Sequence, residues 1–119
     1  MEYLALIHAD EEAWAALSDD ERSAAYADYA AVSRDARAAG VLVAGDELMP
    51  TASATTVRVR DAQVLVTDGP YAEVKEALGG YYLFECATLD EALGWAARIP
   101  AAAYGAVEVR PVHLDEEAE

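Results

Sequence analysis

The stretch Glu2-Tyr3-Leu4-Ala5-Leu6-Ile7-His8 decides the fold. Successive residues of a strand point to opposite sides of the sheet, so Tyr3, Ala5 and Ile7 share one face while Leu4, Leu6 and His8 share the other. Both faces are largely apolar. A sheet with one wet side alternates apolar with polar residues, so something is expected to cover each face of this strand.

The segments around it say what the cover is. Asp10 to Leu17 has room for a short helical turn. Ser18-Asp19-Asp20-Glu21 then opens a long helix, because Ser18 or Asp19 can accept bonds from the first free amides and the acids favour the positive helix end. Ala25, Tyr29, Val32 and Ala36 form its apolar stripe, and Gly40 stops it. Val41 to Ala44 is a short strand, followed by an irregular loop from Gly45 to Ala54. Thr56–Arg60 and Gln63–Thr67 alternate cleanly and predict a hairpin across Asp61-Ala62, although alanine resists the positive φ that a two-residue turn needs. Tyr81 to Ala87 is a further strand after a loop from Asp68 to Gly80. Leu89 to Arg98 is a second main helix, stopped by Pro100, and Ala106 to Val112 is the last strand, with Val107 and Val109 inward.

This order predicts an α+β fold of ferredoxin-like type: a two-layer sandwich of one antiparallel sheet with two main helices on one face. Helices cover only one side of such a sheet. The apolar second face of the first strand therefore predicts a homodimer that packs sheet to sheet, the dimeric α+β barrel arrangement.

With 119 residues the chain is expected to be one domain over 1–114, with an acidic tail at 115–119. Eight Lys+Arg against 23 Asp+Glu give a net charge of −15. Nucleic acids and anionic membrane surfaces need clustered cations, so neither is an expected partner. The apolar fraction of 55% separates this acidity from that of a disordered chain. No run approaches the length of a membrane span and no leader peptide opens the sequence, which predicts a cytoplasmic protein. The lone Cys86 lies on the Phe84 side of its strand and reads as a small buried hydrophobe. His8 and His113 have no metal-ligand spacing, and no phosphate-cradling or dinucleotide-binding loop is present, so no metal and no cofactor is expected.

The densest chemical signal is Val66-Thr67-Asp68-Gly69-Pro70-Tyr71-Ala72-Glu73-Val74-Lys75-Glu76-Ala77-Leu78-Gly79-Gly80-Tyr81-Tyr82. Asp-Gly-Pro ends a strand: Asp68 can accept from backbone amides, Gly69 tolerates positive φ and Pro70 fixes the next one. Lys75 is the only lysine of the chain, and it sits among Asp68, Glu73 and Glu76 beside the aromatic Tyr71. Gly79-Gly80 either lets backbone approach something closely or turns the chain into the next strand. Tyr71, Glu73, Lys75, Glu76 and Tyr82 are accordingly the candidate ligand-binding residues. Lys75 with Glu76 also reads as a surface ion pair.

This stretch resembles the signature of the YCII-related superfamily, in the branch known as the DGPF domain. That branch reads Asp-Gly-Pro-Phe, then Ala-Glu-Thr-Lys-Glu, then a glycine pair and an aromatic strand. Here Tyr71 stands for the Phe and Val74 for the Thr. The likeness continues through Ala92, Trp95, Ala96, Ala97 and Pro100 to Val107-Glu108-Val109-Arg110-Pro111-Val112. It also takes in the first strand and Gly40-Val41-Leu42, so it covers nearly the whole chain.

The resemblance implies a dimeric ferredoxin-like fold with a cleft near the dimer interface. Many DGPF proteins are encoded beside extracytoplasmic-function sigma factors, which implies a role in bacterial signalling. The wider group has been proposed to be enzymatic through a His–Asp pair on the first long helix and before a proline near the end of the second. Here that helix has no histidine and Ile99 precedes Pro100, so the pair does not carry over.

Three functions follow as expectations. The first is a homodimer that binds a small molecule and has an accessory or regulatory role. The second is a small cofactor-independent enzyme in which His8 acts as acid or base and Asp68 orients it, since each ends a strand. The plainer reading, which the residues favour, makes Asp68 a turn former and His8 a strand-end residue bonded to backbone or water. The third is an acidic interaction module that docks a regulatory protein partner. Arg58, Arg60 and Arg110 are strand cations that offset neighbouring carboxylates or grip an anionic substrate.

Overall fold

A computed structural model describes residues 1–114, and the tail expected over 115–119 lies outside the described residues. Strand β1 (Glu2–Asp10) runs directly into a short helix α1 (Glu11–Ala15). Asp10 makes that junction, because its Oδ1 accepts from the amides of Glu12 at 2.9 Å and Ala13 at 3.4 Å and so caps the helix. Helix α2 (Asp19–Ala38) starts from a reciprocal capping box. Ser18 Oγ accepts from the Glu21 amide at 3.1 Å, and Glu21 Oε1 accepts from the Ser18 amide at 2.9 Å. These bonds hold the Glu21 carboxyl below its ordinary pKa. Gly40, at φ 74°, ends the helix as expected.

Strands β2 (Leu42–Glu47), β3 (Thr55–Arg60), β4 (Gln63–Asp68) and β5 (Glu76–Glu85) follow, then helix α3 (Leu89–Ala97) and strand β6 (Ala106–Pro111). Four of the strands form one sheet in the order β2-β5-β1-β6, with every neighbouring pair antiparallel. Tyr3 lies opposite Phe84 and Ala5 opposite Tyr82, on the face that α2 and α3 cover. Phe84 and Ile99 are the largest fully buried side chains. Phe84 stacks on Tyr82 with ring centroids 5.4 Å apart and meets Trp95 at 6.3 Å. The stripe of α2 supplies Val32 and Ala36 to this core, and Cys86 is buried in it. Burial, first of all, pushes the Cys86 thiol pKa up, so the thiol is a packing group. The layout is the α+β, ferredoxin-like sandwich that the pattern predicts.

Three details differ from the expectation. The hairpin β3–β4 is a separate two-stranded sheet. Strand β5 starts at Glu76, five residues before the expected Tyr81, so the glycine pair lies inside the strand and does not turn the chain. The register slips between Ile7 and His8, from Gly80 to Leu78, which makes Gly79 the extra residue of a bulge. A Cβ on Gly80 would stand 2.9 Å from the carbonyl oxygen of Asp46, so this position needs glycine for the close approach of β2. Strand β2 likewise continues through Gly45, Asp46 and Glu47, which pair with Tyr82, Tyr81 and Gly80.

The hairpin turns through Asp61 and Ala62 at φ 51° and 63°, the left-handed pair of a tight primed turn, so the short connection forms despite the alanine. Val57 faces Val66 and Val59 faces Val64, placing four valines on one side. They are 57–66% exposed. The radius of gyration is 16.4 Å, against about 13.5 Å for a compact chain of this length, because this arm stands away from the body. On the sheet face away from the helices, Leu4 and Leu6 lie opposite Leu83 and Tyr81, all four half-buried. Among the described residues no helix is long and apolar enough to cross a membrane.

Candidate functional site

The principal cavity has a volume of about 650 Å³ and lies between the helix-covered sheet face and helices α1 and α2. Its position follows from the Asp10 cap, which swings α1 out over the end of β1 and leaves room beneath Trp14. Ile7 and Ala9 of β1 and Ala77 of β5 form the apolar floor, and Leu48 and Met49 close one side. Glu11 ties that side down: its carboxylate accepts from the Thr51 amide at 3.0 Å and from Thr51 Oγ1 at 3.1 Å.

Tyrosines from three elements converge on the interior. Tyr82 Oη lies 2.9 Å from Ser33 Oγ and donates to the Tyr29 carbonyl at 3.4 Å, locking β5 to α2. Burial, and then Tyr104 beside it, holds the Tyr29 hydroxyl far above its ordinary pKa. Near the mouth, Tyr26 Oη donates to Glu47 Oε1 at 2.9 Å, and this bond is the main reason its own pKa is raised. Tyr81 is raised in the same way by its bond to Asp46 Oδ2 at 3.1 Å. Strand alternation places that last pair on the sheet face opposite the Tyr82 ring. Raised phenols stay protonated at neutral pH, and Tyr26 and Tyr81 act here as hydrogen-bond donors to carboxylates. The rings of Trp14 and Tyr26 meet edge to face, with centroids 5.4 Å apart and planes at 86°.

Of the residues expected to bind a ligand, Tyr82 lines this cavity. Tyr71, Glu73, Lys75 and Glu76 are exposed and lie outside its lining, Tyr71 with 81% of its surface open. His8 also lies outside the lining. Its carboxylate neighbour is Glu108 on the adjacent strand, with His8 Nε2 3.7 Å from Glu108 Oε1. Asp68 ends β4 in the hairpin sheet, opposite Thr55, so within one chain it belongs to a different sheet from His8. Arg110 offsets a carboxylate as expected, its Nε 3.1 Å from Glu108 Oε2.

Sequence reasoning missed Trp14, Tyr26 and Glu47. One signal was available: Tyr26 sits one position off the buried stripe of α2, and it remains 46% exposed although aromatic. Glu47 carried no such signal, because only the pairing of β2 with β5 brings it under Tyr26.

The fold defines an α+β protein of ferredoxin-like layout with a hairpin inserted between its second and third sheet strands. Within that class the chain belongs to the YCII-related domain family, whose model matches residues 1–114. An uncharacterised protein of Rhizobium meliloti (strain 1021) is 41% identical to it over 116 residues, which span 96% of this chain and 94% of the relative.

Proposed function

We propose that this YCII-related protein, of the DGPF branch, is a cytoplasmic homodimer that binds a small molecule and serves an accessory or regulatory role. The cavity carries this reading. Small-molecule sites are concave spaces of roughly 300–1,000 Å³ with mostly apolar walls and a few placed polar groups, and the space beneath Trp14 and Tyr26 fits both criteria. The Tyr26 hydroxyl is committed to Glu47 and the Tyr82 hydroxyl to Ser33 and Tyr29, an arrangement that holds the walls in shape to receive a ligand.

The dimer in this proposal is supported by the four-valine face of the hairpin and by the half-buried leucines of the open sheet face. An exposed two-stranded ribbon with one apolar side is marginal in water by itself, and a second copy supplies the missing cover. Native mass spectrometry of the purified protein, compared with its denatured mass, tests the proposal. The expected result is a dimer with a reproducible extra mass that denaturation releases, and replacing Ser33 and Tyr82 lowers its occupancy. A monomer at micromolar concentration overturns the dimer. A dimer that acquires no extra mass from a cell extract or a metabolite mixture overturns the ligand site.

A further inference from the structure

We infer that the cavity selects a small organic cation, an amine or quaternary ammonium group on an apolar body; this rests on the reading of the cavity as a ligand site. Besides Asp46, which bonds to Tyr81, the lining includes the acidic residues Asp10, Glu11, Glu12 and Glu47, and no lysine, arginine or histidine. Arg22, a turn ahead of Tyr26 on α2, stands close to this corner but outside the lining: its guanidinium donates to the carbonyls of Trp14, Ala15 and Leu17, and Asp19 offsets its charge.

The four carboxylates divide into two kinds. Asp10 caps α1 and Glu11 uses both oxygens on Thr51, so these two maintain the walls. Glu47 gives one oxygen to Tyr26, and its Oε2 has no partner among the described residues. Glu12 has none there either, and both side chains are exposed to the mouth. Two uncommitted negative charges at the entrance of an otherwise apolar space repel an anion and attract a cation, in a chain that already carries −15.

The aromatic lining adds a second, independent preference. A cation within about 6 Å of a Trp or Tyr ring face is drawn to its π electrons, and tryptophan does this best. The Trp14 and Tyr26 planes stand at 86°, so a cation set in their corner meets π density from two directions. The bond from Tyr26 Oη to Glu47 fixes one wall of that corner and brings a carboxylate to its edge. Below it, Ile7, Ala9, Leu48, Met49 and Ala77 offer an apolar bed for the rest of the molecule.

Calorimetric titration of the full chain with three matched probes tests this: benzyltrimethylammonium, benzyl alcohol and phenylacetate. The ammonium probe is expected to bind at least tenfold tighter than phenylacetate. Glu47→Gln and Glu12→Gln, which remove charge from exposed positions without removing bulk, should each weaken the ammonium probe about fivefold and leave benzyl alcohol within twofold. Trp14→Leu should weaken the ammonium probe similarly, and Trp14→Phe should restore most of the loss. Equal or tighter binding of phenylacetate overturns the inference and leaves the ligand site standing. An unchanged ammonium affinity in both glutamine variants overturns it too. If none of the probes binds at millimolar concentration the inference also fails, and the native mass of the purified protein then decides the ligand site separately.

Discussion

Replacing Val57 by Glu should break the proposed dimer while leaving each protomer folded. Val57 keeps 61% of its surface open in the single chain, and it shares its hairpin face with Val59, Val64 and Val66. Full burial of a valine contributes about 1.5–2 kcal/mol, so covering what is still open contributes about 1 kcal/mol. In a two-fold dimer each position occurs twice, which doubles this to about 2 kcal/mol. At about 1.4 kcal/mol per factor of ten, the loss alone weakens association about thirtyfold. A carboxylate taken into an apolar contact adds a further desolvation cost, so thirtyfold is a lower bound. Sedimentation equilibrium over a concentration series reads this directly, with far-UV circular dichroism as the check on folding. A variant that dimerises as tightly as the wild type would refute the reasoning, because the valine face would then lie outside the interface.

Three further perturbations follow from the local structure. Ala62→Gly should stabilise the hairpin by about 1 kcal/mol, since Ala62 sits at φ 63° and glycine meets no side-chain penalty there; slower amide exchange at Arg58 and Leu65, a hydrogen-bonded pair of the ladder, would show it. Ser18→Ala removes one half of the capping box and should cost about 1 kcal/mol, visible as a fall of a few degrees in Tm, with an unchanged Tm counting against the cap. The third concerns acid. The hydrogen bond from Arg98 holds the Asp35 carboxyl below its ordinary value of 3.8. A depressed carboxylate contributes stability above its unfolded pKa and loses it as pH falls through the folded one. Arg98→Gln should therefore be less stable than the wild type at pH 6, with the gap closing as pH falls below about 4. A gap that persists at pH 2.5 would assign the effect to the contact between Arg98 and the Trp95 ring instead.

The fold was legible wherever the signal was local. Alternation in β1, the Ser18-to-Glu21 cap and the stripe through Val32 and Ala36 are properties of neighbours in the chain, and they reappear unchanged. The errors fall where pairing partners decide. Gly45-Asp46-Glu47 and Glu76-Ala77-Leu78-Gly79-Gly80 are poor in strand-forming residues, yet each is held in the sheet by its neighbours: Gly45 by Tyr82, and Ala77 by Ala9. Tyr82 could be singled out because it sits in an aromatic strand beside an unusual segment. The rest of the cavity could not, since Trp14, Tyr26 and Glu47 come from three elements and meet only after β2 docks on β5 and α1 folds back over β1. The charged segment from Tyr71 to Glu76 drew attention by composition, but Tyr71 to Lys75 lie between β4 and β5, only Glu76 enters the sheet, and all of these side chains stay exposed.

The most direct measurement is a crystal structure of the purified protein grown in the presence of benzyltrimethylammonium. The account predicts a two-fold dimer with the probe bounded by Trp14, Tyr26 and Tyr82 and its ammonium group beside Glu47. A probe seated instead against His8 or along the Tyr71–Glu76 segment, with the cavity beneath Trp14 unchanged, would contradict it.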